Sequence, residues 1–169
     1  MGRTRYSGPI KSTSGFEVGA AASGLTGEVN TEVIDSSGNV TTAGTVKGKK
    51  VVETVSANKT LAAADSGKVF IVDTDAIVIT LPSTASGLTY TFINGGADGA
   101  VLISVSPAAA DAVHGTTSAS TNVVLSGVDD KDLLNTKATA TTGDSSVIVG
   151  DGSVGWYLLD STGIWASQT

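Results

Sequence analysis

The chain has no cysteine, so disulfides and thiolate metal sites are closed to it and cysteine usage says nothing of its redox compartment. Aromatic residues make up only 5% of it, with three Phe, three Tyr and two Trp. Each aromatic ring buries about 150–250 Å², so the placement of these few rings should decide where the core lies. No apolar run approaches the ~18 residues of a membrane span. The opening MGRTRYSGPIKS is basic but lacks the apolar stretch of a secretory signal. Tyr6 stands where N-myristoylation needs Ser or Thr, so that pattern fails despite Gly2. These absences lead us to expect a soluble protein made in a cytoplasm, with no membrane partner.

Charged residues are also sparse, at 15%, while hydrophobic residues reach 40% and glycine numbers 21. That balance is too apolar and too weakly charged for a disordered chain, and 169 residues suit one domain, or one domain with an arm. The net charge of −6 is unevenly placed. Residues 1–68 carry eight Lys/Arg and six Asp/Glu, whereas residues 69–169 carry two Lys and ten Asp. An acidic body argues against nucleic-acid binding, which needs a basic face. A short basic arm holding both arginines, Arg3 and Arg5, suits docking on an acidic neighbour.

Residues 1–30 show neither a helical nor a strand period. Their apolar residues Tyr6, Ile10, Phe16 and Val18 are isolated anchors on what reads as an extended arm. Such a segment buries too little by itself to offset its ordering entropy, so it should order only against a partner chain. Val33-Ile34 and Val40 flank Asp35-Ser36-Ser37-Gly38, a small hairpin with its turn. The arm with this hairpin is assigned to residues 1–47 and a folded knob to residues 48–169.

From Lys50 onward the pattern is regular. KVVETV (50–55), VFIVD (69–73), AIVITLP (76–82), LTYTFIN (88–94) and VLISVSP (101–107) read as short strands rich in β-branched residues. Leu61 to Ala64 suit a single helical turn. Residues 111–115 suit an edge strand, and NVVLSG (122–127), Leu133-Leu134 and residues 136–140 suit further strands. Turn signals every 8–12 residues imply an all-β fold, an antiparallel sandwich or barrel-like knob. No helical pattern of 10–15 residues separates the strands, which argues against an α/β sheet. The segment SSVIVGDGSVGWYLLDSTGIW (145–165) holds both tryptophans. We expect it to be a closing hairpin whose Trp156, Tyr157, Leu158 and Trp165 anchor the core.

No motif rises to a reaction centre. Gly150, Gly152 and Gly155 spell G-x-G-x-x-G, but a strand rather than a helix follows, so a hairpin turn is the better reading. Asp73 with Asp75, and Asp129, Asp130 with Asp132, lack the spacing of a Ca²⁺ loop. His114 is the single histidine, with no nucleophile elbow to serve it. Asn39 and Asn58 head glycosylation-like triplets that look like chance in a Thr-rich chain. Lys47, Lys49, Lys50, Lys59 and Lys68 form a loose basic zone suited to keeping an edge strand soluble. No catalytic residue, metal or cofactor is expected.

The run LAAADSGKVFIVDTDAIVITLPSTASGLTYTFINGGADGAVLISVSP, continued through VIVGDGSVGWYLLDSTGIW, resembles a module of tailed-phage virion proteins. The opening GRTRYSGPIKS is similar to the leading arm of small capsid-associated proteins of marine and cyanobacterial phages. The resemblance implies a structural virion protein with no enzymatic activity. It would be a homotrimer that decorates or cements the capsid surface by docking on the major capsid protein, or else a head- or tail-fibre knob that binds a receptor or glycan. On this reading Arg3, Arg5, Tyr6, Ile10 and Phe16 dock on the partner.

Overall fold

The computed structural model describes residues 33–34, 40–41, 49–117, 124–125 and 127–169. The chain divides into two units, Met1–Lys49 and Lys50–Thr169. In the first, β1 (Val33–Ile34) and β2 (Val40–Thr41) pair antiparallel, with Ile34 opposite Val40. The pairing agrees with the expected small hairpin, whose turn at residues 35–38 lies outside the described residues.

Among its described residues the second unit is all β apart from one 3-10 turn, Ala63–Asp65. Its strands are β3 (Val52–Val55), β4 (Lys59–Thr60), β5 (Val69–Val72), β6 (Ile77–Thr80), β7 (Thr89–Asn94) and β8 (Ile103–Ser106). They continue with β9 (Ala112–His114), β10 (Leu133–Asn135), β11 (Ser145–Gly150), β12 (Gly155–Thr162) and β13 (Trp165–Ser167). Two sheets result, ordered β3-β5-β7-β11-β12-β9 and β13-β10-β8-β6-β4.

From β3 to β8 the chain changes sheet after every strand. Strands β3, β5 and β7 are therefore parallel neighbours in one sheet, and β4, β6 and β8 are parallel neighbours in the other. Three flattened coils stack in this way. Parallel pairing needs a crossover of a dozen or more residues, which is usually a helix. Here residues 56–68 and 73–88 supply it by laying a strand on the opposite sheet. The expectation of an antiparallel sandwich is corrected accordingly: the class is all β, but the sheets are mixed. Antiparallel pairing is confined to β7-β11-β12 in one sheet and β8-β10-β13 in the other.

Period-2 alternation decides what enters the core. Phe70, Val72, Tyr90, Phe92 and Ile148 point inward from the six-stranded sheet, and Ile77, Ile79, Ile103, Val105 and Leu133 from the five-stranded one. All of them belong to one buried cluster, so the sheets pack face to face. The rings of Phe70, Tyr90, Phe92 and Trp156 form a chain through this layer, with centroids 5.4–6.4 Å apart. That spacing suits tilted and offset aromatic pairs. The Tyr90 hydroxyl escapes burial without a partner by donating to the Ala62 carbonyl at 2.9 Å.

Strands β3 and β4 are the edges of their sheets at the same end of the stack. Glu53 on β3 pairs with Lys59 on β4 at 2.7 Å, and the Lys68 ammonium reaches Glu53 at 3.7 Å. Lys68 also bonds the Asp65 carboxylate at 2.6 Å and, with the Ala62 N–H, holds that carboxyl below its usual range. Charges across an open edge oppose strand addition, and of the basic zone Lys59 and Lys68 are placed in these ion pairs. Residues 136–140 form a turn closed by Thr139 N–H on the Thr136 carbonyl, not a strand. Within 122–127, Val124 forms only an isolated bridge, to Thr116.

Candidate functional site

The expected docking residues Arg3, Arg5, Tyr6, Ile10 and Phe16 lie outside the described residues. The expected anchors all fall on or beside the closing hairpin. Trp156 and Trp165 are fully buried, and the Trp165 indole N–H donates to the Thr162 carbonyl at 3.1 Å. Leu158 is half-buried against the core. Tyr157 is not an anchor. It is 41% exposed, because period 2 sends it to the face opposite Trp156. There it stacks on His114, with ring centroids 5.1 Å apart. The buried aromatic layer takes Phe70, Tyr90 and Phe92 from β5 and β7, so the hairpin contributes to the core without being its sole foundation.

The three glycines of the G-x-G-x-x-G run belong to the β11–β12 turn, as the hairpin reading requires. Each is needed because backbone passes close by. A Cβ on Gly150 would sit 2.7 Å from the Ala85 carbonyl oxygen, and one on Gly155 would meet the Ala112 backbone, with the nitrogen at 2.6 Å. The loop 82–88 is pinned here. Thr84 donates its hydroxyl to the Gly155 carbonyl at 2.8 Å, and its N–H bonds the buried Asp111 carboxylate at 2.8 Å.

Asp151 closes the same turn by accepting from the N–H groups of Ser153, Val154 and Gly155 at 2.8–3.1 Å. These bonds, that of Ser153 first, hold its carboxyl below the usual carboxylate range. A depressed folded-state value gives stability that is present above the unfolded value of about 3.9 and is lost as pH falls through the folded one. Asp151→Ala should therefore lie below the parent in thermal stability at pH 6. The gap should close as the pH is lowered through 4 toward 2.5, as melting curves across that range would show.

At the other end of the sheets a buried polar chain runs Asn94–Asn135–Asp144, which sequence reasoning did not single out. Asn94 Nδ2 donates to Asn135 Oδ1 at 2.7 Å and to the Val101 carbonyl at 3.2 Å. Asn135 Nδ2 donates to Asp144 Oδ2 at 2.9 Å and to the Ile164 carbonyl at 3.0 Å. Asp144 Oδ2 also accepts the Thr141 N–H, and Asn94 Oδ1 accepts the Gly96 N–H. The chain ties the ends of β7 and β10 to the entry of β11. Of the Asp clusters, Asp75 takes a structural part. Asp75 bonds Lys137 and the Leu102 N–H, and these partners lower its carboxyl. No group of three or more potential metal-ligating side chains gathers among the described residues.

What remains is a surface. On the exterior of the six-stranded sheet one cross-strand row runs Val52, Val69, Thr91, Val147. The next runs Thr54, Ile71, Ile93, Ser145, Thr162. A third joins Thr89, Val149, Tyr157 and His114. The register of β11 and β12 shifts after Val147, leaving Leu159 as the extra residue of a bulge, 61% exposed. Asp160, opposite Val147, is the one formal charge these rows meet.

No protein-family model and no curated protein matches this chain. Its reading therefore rests on the residues themselves. Their most unusual feature is an exterior face built mainly of Val, Ile, Thr, Leu and Tyr, with Ser145, His114 and Asp160 among them, where a solvated sheet would carry more charged side chains.

Proposed function

We propose that the chain is a structural virion protein that decorates and reinforces a phage capsid as a homotrimer docked on the major capsid protein. The observation that carries this reading is where the fold spends its polar groups. Asn94, Asn135, Asp144, Asp111, Thr84 and Asp151 all bond the protein's own backbone or each other, fastening turns to sheets at both ends. A body fastened in this way suits load-bearing. The sequence resemblance to tailed-phage virion modules points the same way, and the basic arm with its spaced anchors is suited to reaching a neighbouring subunit. Several weak contacts repeated around a symmetry axis then give avidity without a tight single site.

The test is co-sedimentation of the purified chain with undecorated capsids. The full chain should pellet with the particles, and a chain lacking residues 1–20 should lose at least tenfold in apparent affinity. Undiminished binding by the shortened chain removes the arm from the model, and absence of binding by the full chain removes the decoration role.

The competing role, a fibre knob for a receptor or glycan, is favoured by one feature, the exposed Tyr157 ring stacked on His114. Trp165, being fully buried, offers no sugar platform. Glycan-array binding that Tyr157→Ala abolishes, without particle binding, decides for that role.

A further inference from the structure

We infer that the exterior face of the six-stranded sheet is the surface through which copies of this chain associate. The inference deepens the proposed oligomeric role by naming the face, and it rests on that reading only for the biological setting.

The face is unusually costly to leave wet. Val52, Tyr157 and Leu159 are 56%, 41% and 61% exposed. Between them Val69, Ile71, Ile93, Val147 and Val149 are half-buried. Contiguous apolar surface of this kind marks an interaction site.

Charge selects the occupant. The unit 50–169 carries five lysines against twelve Asp/Glu, a net of −7, yet its rows of exterior side chains meet a single charge, Asp160. A polyanion such as nucleic acid finds no cation on these rows, and a basic peptide finds almost no counter-charge. Other copies, by contrast, turn the same nearly uncharged face, with its β-branched residues, toward a shared three-fold axis, and the acidic groups of the molecules stay at the rim. The size sets the strength. Six strands about 4.8 Å apart span roughly 24 Å, and five residues at about 3.3 Å span roughly 17 Å, so each copy brings about 400 Å². Two such faces cover about 800 Å², the scale of a weak association.

The experiment is sedimentation velocity on the full chain from 1 to 100 µM, together with Leu159→Lys and the double variant Val147→Lys/Leu159→Lys. Leu159 is exposed at a bulge, so its replacement leaves the fold intact, and circular-dichroism melting checks the double variant. The expected result is a concentration-dependent oligomer whose dissociation constant rises at least tenfold in Leu159→Lys, with the double variant monomeric. A monomeric parent at 100 µM overturns the inference. So does an oligomer that both variants retain, or one that persists in them but is lost on removal of residues 1–48. Because no particle is present, failure here is separable from failure of the decoration role: capsid binding by a monomeric parent would keep that role and discard this interface.

Discussion

Replacing Trp156 by alanine is expected to remove about 3–5 kcal/mol of stability, the usual loss for a buried tryptophan in a packed core. Total stability for a domain of this size is about 5–15 kcal/mol, so the variant should sit near the edge of folding at 37 °C. Trp156 is fully buried, packs on Tyr90 at 5.4 Å between centroids, and sits directly after Gly155, whose backbone is pressed against Ala112. The surroundings therefore have little freedom to collapse into the hole. Trp156→Phe should behave differently. The Trp156 indole N–H has no hydrogen-bond partner among the described residues, so phenylalanine forfeits volume but no bond, and removes an orphaned donor. Urea unfolding is the measurement. The midpoint should fall steeply for alanine and by well under half as much for phenylalanine, with the slope unchanged in both. Equal losses would show that the indole N–H matters in a way the packing does not explain.

Asn135→Leu is the second large effect, at about 2–5 kcal/mol. Leucine approximates the volume but strips Asp144 Oδ2 and the Ile164 carbonyl of a donor, and removes the acceptor of Asn94 Nδ2. Three hydrogen bonds are lost, at about 0.5–1.5 kcal/mol each and more for the one to a carboxylate, although Asp144 Oδ2 keeps the Thr141 N–H and Asn94 Nδ2 keeps the Val101 carbonyl. Asn135→Asp separates this account from simple misfit. It would set a second carboxylate against Asp144, and like charges at that range push one proton affinity upward. A group whose folded-state pKa is raised favours folding at low pH and loses that contribution as pH rises through the folded value. Asn135→Asp should therefore be closer to the parent at pH 4 than at pH 7.5. An Asn135→Asp deficit that is flat across this range would refute the network account.

Both sites show how much could be read in advance. In TYTFIN, Tyr90, Phe92 and Asn94 share one parity, and in LLN so do Leu133 and Asn135. The same alternation that marks the rings as buried thus marks both asparagines. It also sends Tyr157 outward once Trp156 is placed inward. Strand existence was legible wherever four or more residues carried the period. β4 was not, because Lys59–Thr60 is too short to show one. Pairing direction was out of reach for a different reason. Inward residues alternate identically whichever sheet a strand joins, so nothing local reveals that β3 to β8 change sheets at every step. The arrangement of the exterior face depends on that order, since its rows join residues from β3, β5, β7 and β11 that lie far apart in the chain.

The coil built by β3 to β8 carries a consequence for how such a module grows. Each circuit adds one rung to both sheets and leaves the glycine-locked turn and the asparagine chain at the closing end untouched. Length can then change in whole rungs, like links in a watch-strap. An extra circuit spliced into the exposed 3-10 turn would lengthen the two-sheet body and widen its exterior face in a single step, with the same closure at the end.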